Sequence, residues 1–244
     1  MSDRLGGPTR TGATTKFFGR PQMMSWWWRK KALSDAQSWG LAAGGPLTVA
    51  SGWSFTELRL RWAKRACREG LREAYEISDL DGLQATFRWL LHEGHRSPCL
   101  EVCELLRQSP EFPDLAPEAP DLHRFVAEYI NQLEKFQLVG FDLSRLVILA
   151  RCGYTVEYIG EQEAWSWVLE AARRIQRAFP CWEELGRDFL LGHRFLELSG
   201  GNHVTEKNFA AHHWLLNNPM SPWRRLPWDT PLGPVEESTE GGDT

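Results

Sequence analysis

The chain has no long apolar run, no strong charge excess and no paired cysteine motif, and each absence removes a class of function. No stretch approaches the ~20 apolar residues of a membrane-spanning helix. The opening residues lack the apolar segment of a secretory signal, so the expected location is the cytoplasm. A formal net charge of −4 over 244 residues gives no global reason to bind nucleic acid. The five cysteines, at 67, 99, 103, 152 and 181, are odd in number and lack C-x-x-C spacing. That argues against a disulfide framework or a zinc site and for reduced core thiols. Glycine-rich phosphate loops, zincin motifs and nucleophile elbows are missing too. No metal and no cofactor is expected, and no residue stands out as catalytic. Strand-like alternation and internal repeats are absent as well, which leaves an all-α fold.

What is present is tryptophan, thirteen residues of it, in an otherwise ordinary composition of 42% apolar and 25% charged residues. Residues 1–31 read as a flexible basic arm ending in Trp26-Trp27-Trp28-Arg29-Lys30-Lys31. That cluster is expected to form an aromatic clasp. Peripheral membrane contact through Trp26–Trp28 is less favoured, because three residues bury too little to hold a bilayer. Residues 32–228 read as a single irregular bundle of about eight helices, and 229–244 as an acidic disordered tail.

Within the bundle, a helix over Ala32–Ala43 is stopped by Gly44-Gly45-Pro46. A longer one runs from Phe55 to Glu76, with Phe55, Leu58, Trp62 and Ala66 facing inward. On its other face Arg61, Arg65, Arg68 and Arg72 form a cationic stripe, either a solvated surface or a dock for an acidic protein partner. Ser78-x-x-Asp81 reads as a capping box before an apolar stripe of Leu80, Leu83, Phe87, Leu90 and Leu91. Ser97-Pro98 opens the next helix, and His92 and His95 read as surface or capping residues. Residues 109–120, with four prolines, form a linker between two helical halves. Asp121 then caps a helix that Gly140 stops.

The stretch from Phe141 to Leu196 carries the main tension. Its first helix is apolar on nearly all sides yet contains Asp142, Arg145 and Arg151, and buried charges require partners. Asp142 is expected to cap this helix and pair with Arg145, and Arg151 to pair with Glu163 or Glu183. Ala164, Val168, Ala171, Ala172 and Ile175 make the inner face of the next helix. Trp182, Leu185, Phe189, His193 and Leu196 line the one after. Trp165, Trp182, Trp223 and Trp228 read as core or clasp residues, and His193 as a hydrogen-bonded core histidine. The competing reading makes Asp142 and His193 an acid–base pair, with Arg145 or Arg151 holding an anion.

Several of these pieces resemble a bacterial family catalogued as domain of unknown function 1266. They are Gly140-Phe141-Asp142-Leu143-Ser144-Arg145, Ala150-Arg151-Cys152-Gly153-Tyr154, Glu163-Ala164-Trp165, Phe179-Pro180-Cys181-Trp182 and Ser221-Pro222-Trp223-Arg224-Arg225-Leu226-Pro227-Trp228. The resemblance covers about residues 33–228. Phe141 and Tyr75 stand where the family pattern has tryptophan, and His193 where it has arginine. The resemblance implies a bacterial protein and brings no activity with it. Some families of this kind serve as partners or immunity proteins of secreted toxins. A protein-binding module is the leading expectation, with the cationic stripe and the tryptophan-rich surface as its contacts; a toxin-neutralising protein and a small-molecule or anion-binding enzyme centred on Asp142, Arg145 and His193 are the alternatives.

Overall fold

The computed structural model describes residues 32–108, 120–198 and 205–233. The Trp26–Trp28 clasp, most of the proline-rich linker and the end of the tail lie outside these residues. The described helices all fall in one compact unit, Leu33–Thr244. They are α1 (Asp35–Ala43), α2 (Gly45–Ala50), α3 (Lys64–Tyr75), α4 (Leu80–His92), α5 (Arg96–Gln108), α6 (Pro120–Phe136), α7 (Val139–Val156), α8 (Glu161–Ala178), α9 (Trp182–Leu198), α10 (Thr205–Asn217) and α11 (Pro222–Arg225). No strand occurs among the described residues, so the fold is all-α, an irregular multi-helix bundle.

α7 is its axis. Fifteen of its 18 residues are buried, and α1, α2, α3, α4, α8 and α9 all pack on it. A helix can be surrounded this way only if it is apolar on nearly every side, which the run Leu146–Ala150 provides. Against it α8 sets Ala164, Val168, Ala171, Ala172 and Ile175, each fully buried, as their helical spacing predicts. The small residues let the two axes approach closely. Phe141, at the other end of α7, belongs to a second apolar cluster with Cys99, Phe125, Val126, Leu133, Phe189 and Phe195 from α5, α6 and α9.

Four tryptophans form a cluster that joins α1, α9 and the segment after α10. Trp39 of α1 lies 4.5 Å from Trp182 and 5.1 Å from Trp228, and Trp182 stacks on Trp223 at 5.4 Å. Three of the indole N–H groups find carbonyls: Trp39 donates to Trp228, Trp182 to Leu226 and Trp223 to Ala42. The Ser-Pro-Trp motif is the latch. Ser221 Oγ accepts the Trp223 amide and donates to the Leu215 carbonyl, starting α11. Thr230 and Leu232 are also buried, so the packed chain continues beyond residue 228.

Several local expectations are corrected. Residues 51–63 are an irregular loop, so only the second half of the expected Phe55–Glu76 helix forms, as α3. Its inner face is Cys67 and Leu71, preceded by Ala63, whereas Ala66 and Trp62 are exposed. Gly45 starts α2 instead of ending a helix, aided by Pro46 at its first turn. Asp79, not Ser78, caps α4, and Leu80 is outside its buried stripe. Gly140 lies inside α7; the break between α6 and α7 falls at Gln137 and Leu138, both in the left-handed region.

Candidate functional site

Asp142 is fully buried and does not cap its own helix. It sits one turn in, and its carboxylate is enclosed by the chain between α4 and α5. Oδ1 accepts the His95 amide at 3.0 Å and faces His95 Nδ1 at 2.7 Å, while Oδ2 accepts Arg96 Nη1 at 2.8 Å. A carboxylate only accepts, so Nδ1 carries the imidazole proton. Arg96 also donates to the Leu90 and Leu91 carbonyls, which α4 leaves unpaired at its C-terminus. Gly94 permits the approach. It has φ +64°, and a Cβ there would strike the Asp142 carboxylate and the Arg96 guanidinium. Gly94-His95-Arg96 is thus a clamp closed on one buried carboxylate.

The cap expected of Asp142 comes from another helix. Asp188 of α9 accepts the Leu138 amide with Oδ1 at 3.1 Å, and the Gly140 and Phe141 amides with Oδ2 at 2.7 and 3.2 Å. These are the orphan donors of the first turn of α7. Burial pushes Asp188 up to about 8, with the three backbone N–H groups pulling the other way.

Arg145 does not pair with Asp142. Its guanidinium donates to the Tyr75 hydroxyl and lies over the Tyr75 and Phe141 rings, 5.0 and 4.9 Å from their centroids. Arg151 pairs with neither Glu163 nor Glu183. It is fully buried and donates to the Ser54, Glu57 and Leu58 carbonyls and to Thr48 Oγ1. Burial lowers it to about 10, which leaves it charged at neutral pH. Glu163 accepts from Gln84, 79 residues earlier. Trp165 packs, half-buried, on the main core.

His193 meets the expectation of a hydrogen-bonded core residue. It is 9% exposed, lies beside Phe141 and Phe189, and faces the fully buried Asn208 amide at 3.1 Å. Asp142 and His193 do not bond to one another: the first is held by His95 and Arg96, the second by Asn208. Phe141 lies between the two histidines, 5.3 Å from His95 and 5.2 Å from His193, edge to face with each.

Burial lowers His193 to about 4, with Arg145 and His95 adding repulsion. Its folded value lies below the ordinary 6.5, so the unfolded chain binds the proton first as pH falls. Stability attributable to His193 is complete above pH ~6.5 and is lost as pH drops through the window down to ~4. A shift of this size is worth about 3 kcal/mol. Urea midpoints measured at pH 7.5 and 4.5 should converge in His193→Gln relative to wild type. An unchanged pH difference would remove His193 as its source.

On the surface, the arginine stripe is broken up. Arg61 lies in the loop before α3 and pairs with Glu57, Arg65 pairs with Glu69, and Arg72 with Glu73. Arg68 has no ion pair among the described residues. Beside these groups stands Trp62, wholly exposed, with φ +67°. No group of three or more metal-ligating side chains occurs among the described residues, and no helix there is long and apolar enough to cross a membrane.

Sequence reasoning missed Arg96, Asp188 and Asn208 and the contact of Tyr75, read His95 as a surface or capping residue where it is largely buried against Asp142, and read Trp62 as core where it is exposed. Only Asp188 had a readable signal, an acid falling between Leu185 and Phe189 on the apolar face of α9.

Comparison with protein families matches residues 70–228 to a model described as Protein of unknown function (DUF1266). No curated protein and no solved structure matches. The matched stretch holds the clamp, the Asp188 cap and the tryptophan latch, while Trp62, Arg65 and Arg68 precede it.

Proposed function

The chain belongs to the DUF1266 family, which carries no assigned activity, and from that premise we infer that it acts by binding another protein, with no chemistry of its own. The observation that carries this reading is Trp62. A tryptophan buries a large apolar surface whenever it can, and here every other apolar residue of the loop from Trp53 to Ala63 packs on the core. Trp62 alone points away, at a backbone conformation that costs a non-glycine residue about 1 kcal/mol or more. Exposure and strain together make sense for a contact residue, and tryptophan and arginine dominate binding hot spots. The charged groups of the former catalytic candidates, by contrast, are each engaged inside the fold. Five free thiols suit a reducing cytoplasm.

Native mass spectrometry of the chain purified at its natural abundance tests the reading. A defined complex with one other protein is expected; recovery of the chain alone, or with a small molecule retained, would overturn it. The strain has its own readout. Trp62→Gly relieves the positive φ and removes no packing, so it is expected to melt no lower than wild type and to gain up to about 1 kcal/mol. A clear loss of stability would mean that the indole contributes to the fold.

A further inference from the structure

The edge of α3 also indicates what kind of protein fits it. Residues 57–73 carry Arg59, Arg61, Lys64, Arg65, Arg68 and Arg72 against Glu57, Glu69 and Glu73. Glu157 joins from the end of α7, accepting Lys64 at 2.8 Å and Arg59 at 3.3 Å, so that two cations share one carboxylate. Six cations therefore stand against four acids in this stretch and its Glu157 partner, in a chain whose net charge is −4. The excess is concentrated at Arg68, which has no described ion pair, and at the doubly served Glu157. Arg65 is held only by its helical neighbour Glu69 and keeps 90% of its side chain exposed.

The loop that presents Trp62 is tied to the core at several points. Arg151 holds the Ser54, Glu57 and Leu58 carbonyls, and Thr155 Oγ1 accepts the Leu60 amide at 2.9 Å. Leu58, Leu60 and Ala63 are buried around it. An indole fixed in this way loses little freedom when a partner covers it.

We propose that Trp62 is the anchor of a docking surface for a different protein, one that offers an apolar pocket to the indole and carboxylates at its rim to Arg65 and Arg68. Charge decides the class of occupant. A nucleic acid or an anionic bilayer would press uniform negative charge onto Glu57, Glu69 and Glu73 as well as onto the arginines. A second copy of the chain would bring the same cationic excess against itself. A protein places its carboxylates at discrete points and avoids both conflicts.

The proposal rests on the protein-binding reading above, and the test separates the two. A photo-cross-linking amino acid replaces Ala66, exposed on the same edge, in the full chain expressed in its native cells. The cross-linked protein is identified, purified and titrated calorimetrically with wild type, Trp62→Ala, Arg68→Glu and Met220→Ala. Met220 is exposed and lies beyond α10, away in sequence from this edge. Trp62→Ala is expected to weaken binding at least ~30-fold, the threshold of a hot spot. Arg68→Glu should weaken it ~10-fold, mainly through slower association, and Met220→Ala should match wild type.

Binding that is equal in wild type and Trp62→Ala would overturn the docking surface while leaving the protein-binding reading in place. If no protein cross-links and binds wild type, both fall. Two further outcomes would replace the occupant: sedimentation showing a homodimer lost in Trp62→Ala, or Trp62-dependent co-sedimentation with phosphatidylglycerol vesicles. Circular dichroism confirms that each variant folds, as the exposure of both side chains predicts.

Discussion

Asp142→Ala is expected to lower the free energy of unfolding by about 3–5 kcal/mol, the cost of removing one member of a buried ion pair. The carboxylate is wholly out of solvent, and its partners lose most by its absence. Arg96 would keep a guanidinium that is 10% exposed with only the Leu90 and Leu91 carbonyls, and the His95 amide and Nδ1–H would have no acceptor. Urea denaturation followed by circular dichroism measures the loss. Asp142→Asn should recover little, because an amide offers one acceptor where the carboxylate offers two, and its NH₂ would confront another donor. Removing both charges with Asp142→Ala and Arg96→Met together should cost less than the single change, since no charge is then stranded. A single-variant loss below about 1 kcal/mol would show that the clamp is not what joins α4 and α5 to α7.

That clamp also shows what a sequence can and cannot disclose. The inner face of α8 could be read residue by residue, because helical spacing is local and α8 buries only one side. α7 announced its burial through composition, but the demand for charged partners held only for Asp142; Arg151 is satisfied by neutral carbonyls and a hydroxyl, and Arg145 by the Tyr75 hydroxyl and two rings. The partners were not readable. The expectation joined Asp142 to Arg145 because three residues separate them, yet Asp142 meets His95 and Arg96, 47 and 46 residues away. Asp188 caps α7 across 47 to 50 residues. Local chemistry restricts which groups must be satisfied, and tertiary packing selects which groups satisfy them. Trp62 fails for the opposite reason. A tryptophan at helical spacing from Leu58 reads as core, and only the break of the helix before Lys64 turns it outward.

Arg151 ties the interior of the fold to that outward-facing tryptophan. Arg151→Met is expected to cost about 3 kcal/mol or more, because it strands the Ser54, Glu57 and Leu58 carbonyls, and an unsatisfied buried polar group costs about 1–3 kcal/mol, while the Thr48 hydroxyl keeps its bond to the Gly44 carbonyl. Methionine fills much of the space, so the loss reports hydrogen bonds and charge more than a cavity. Arg151→Lys keeps the charge but replaces a planar fork of donors with a point, and should fall between the two. The loss has a location as well as a size. Leu58 is the buried one of the three, and water reaches its carbonyl only if the loop lifts from α7, so residues 51–63 should open before the helices do. Hydrogen exchange reads this directly: the Leu60 amide, held by Thr155 in wild type, should exchange much faster in Arg151→Met while amides of α8 keep their protection under native conditions. Unchanged exchange at Leu60 would show that the buried arginine does not hold the loop. If the loop does open, Arg151→Met should also weaken partner binding, although Arg151 is buried and meets no partner itself. The fixed presentation of Trp62 would then depend on a cation in the core.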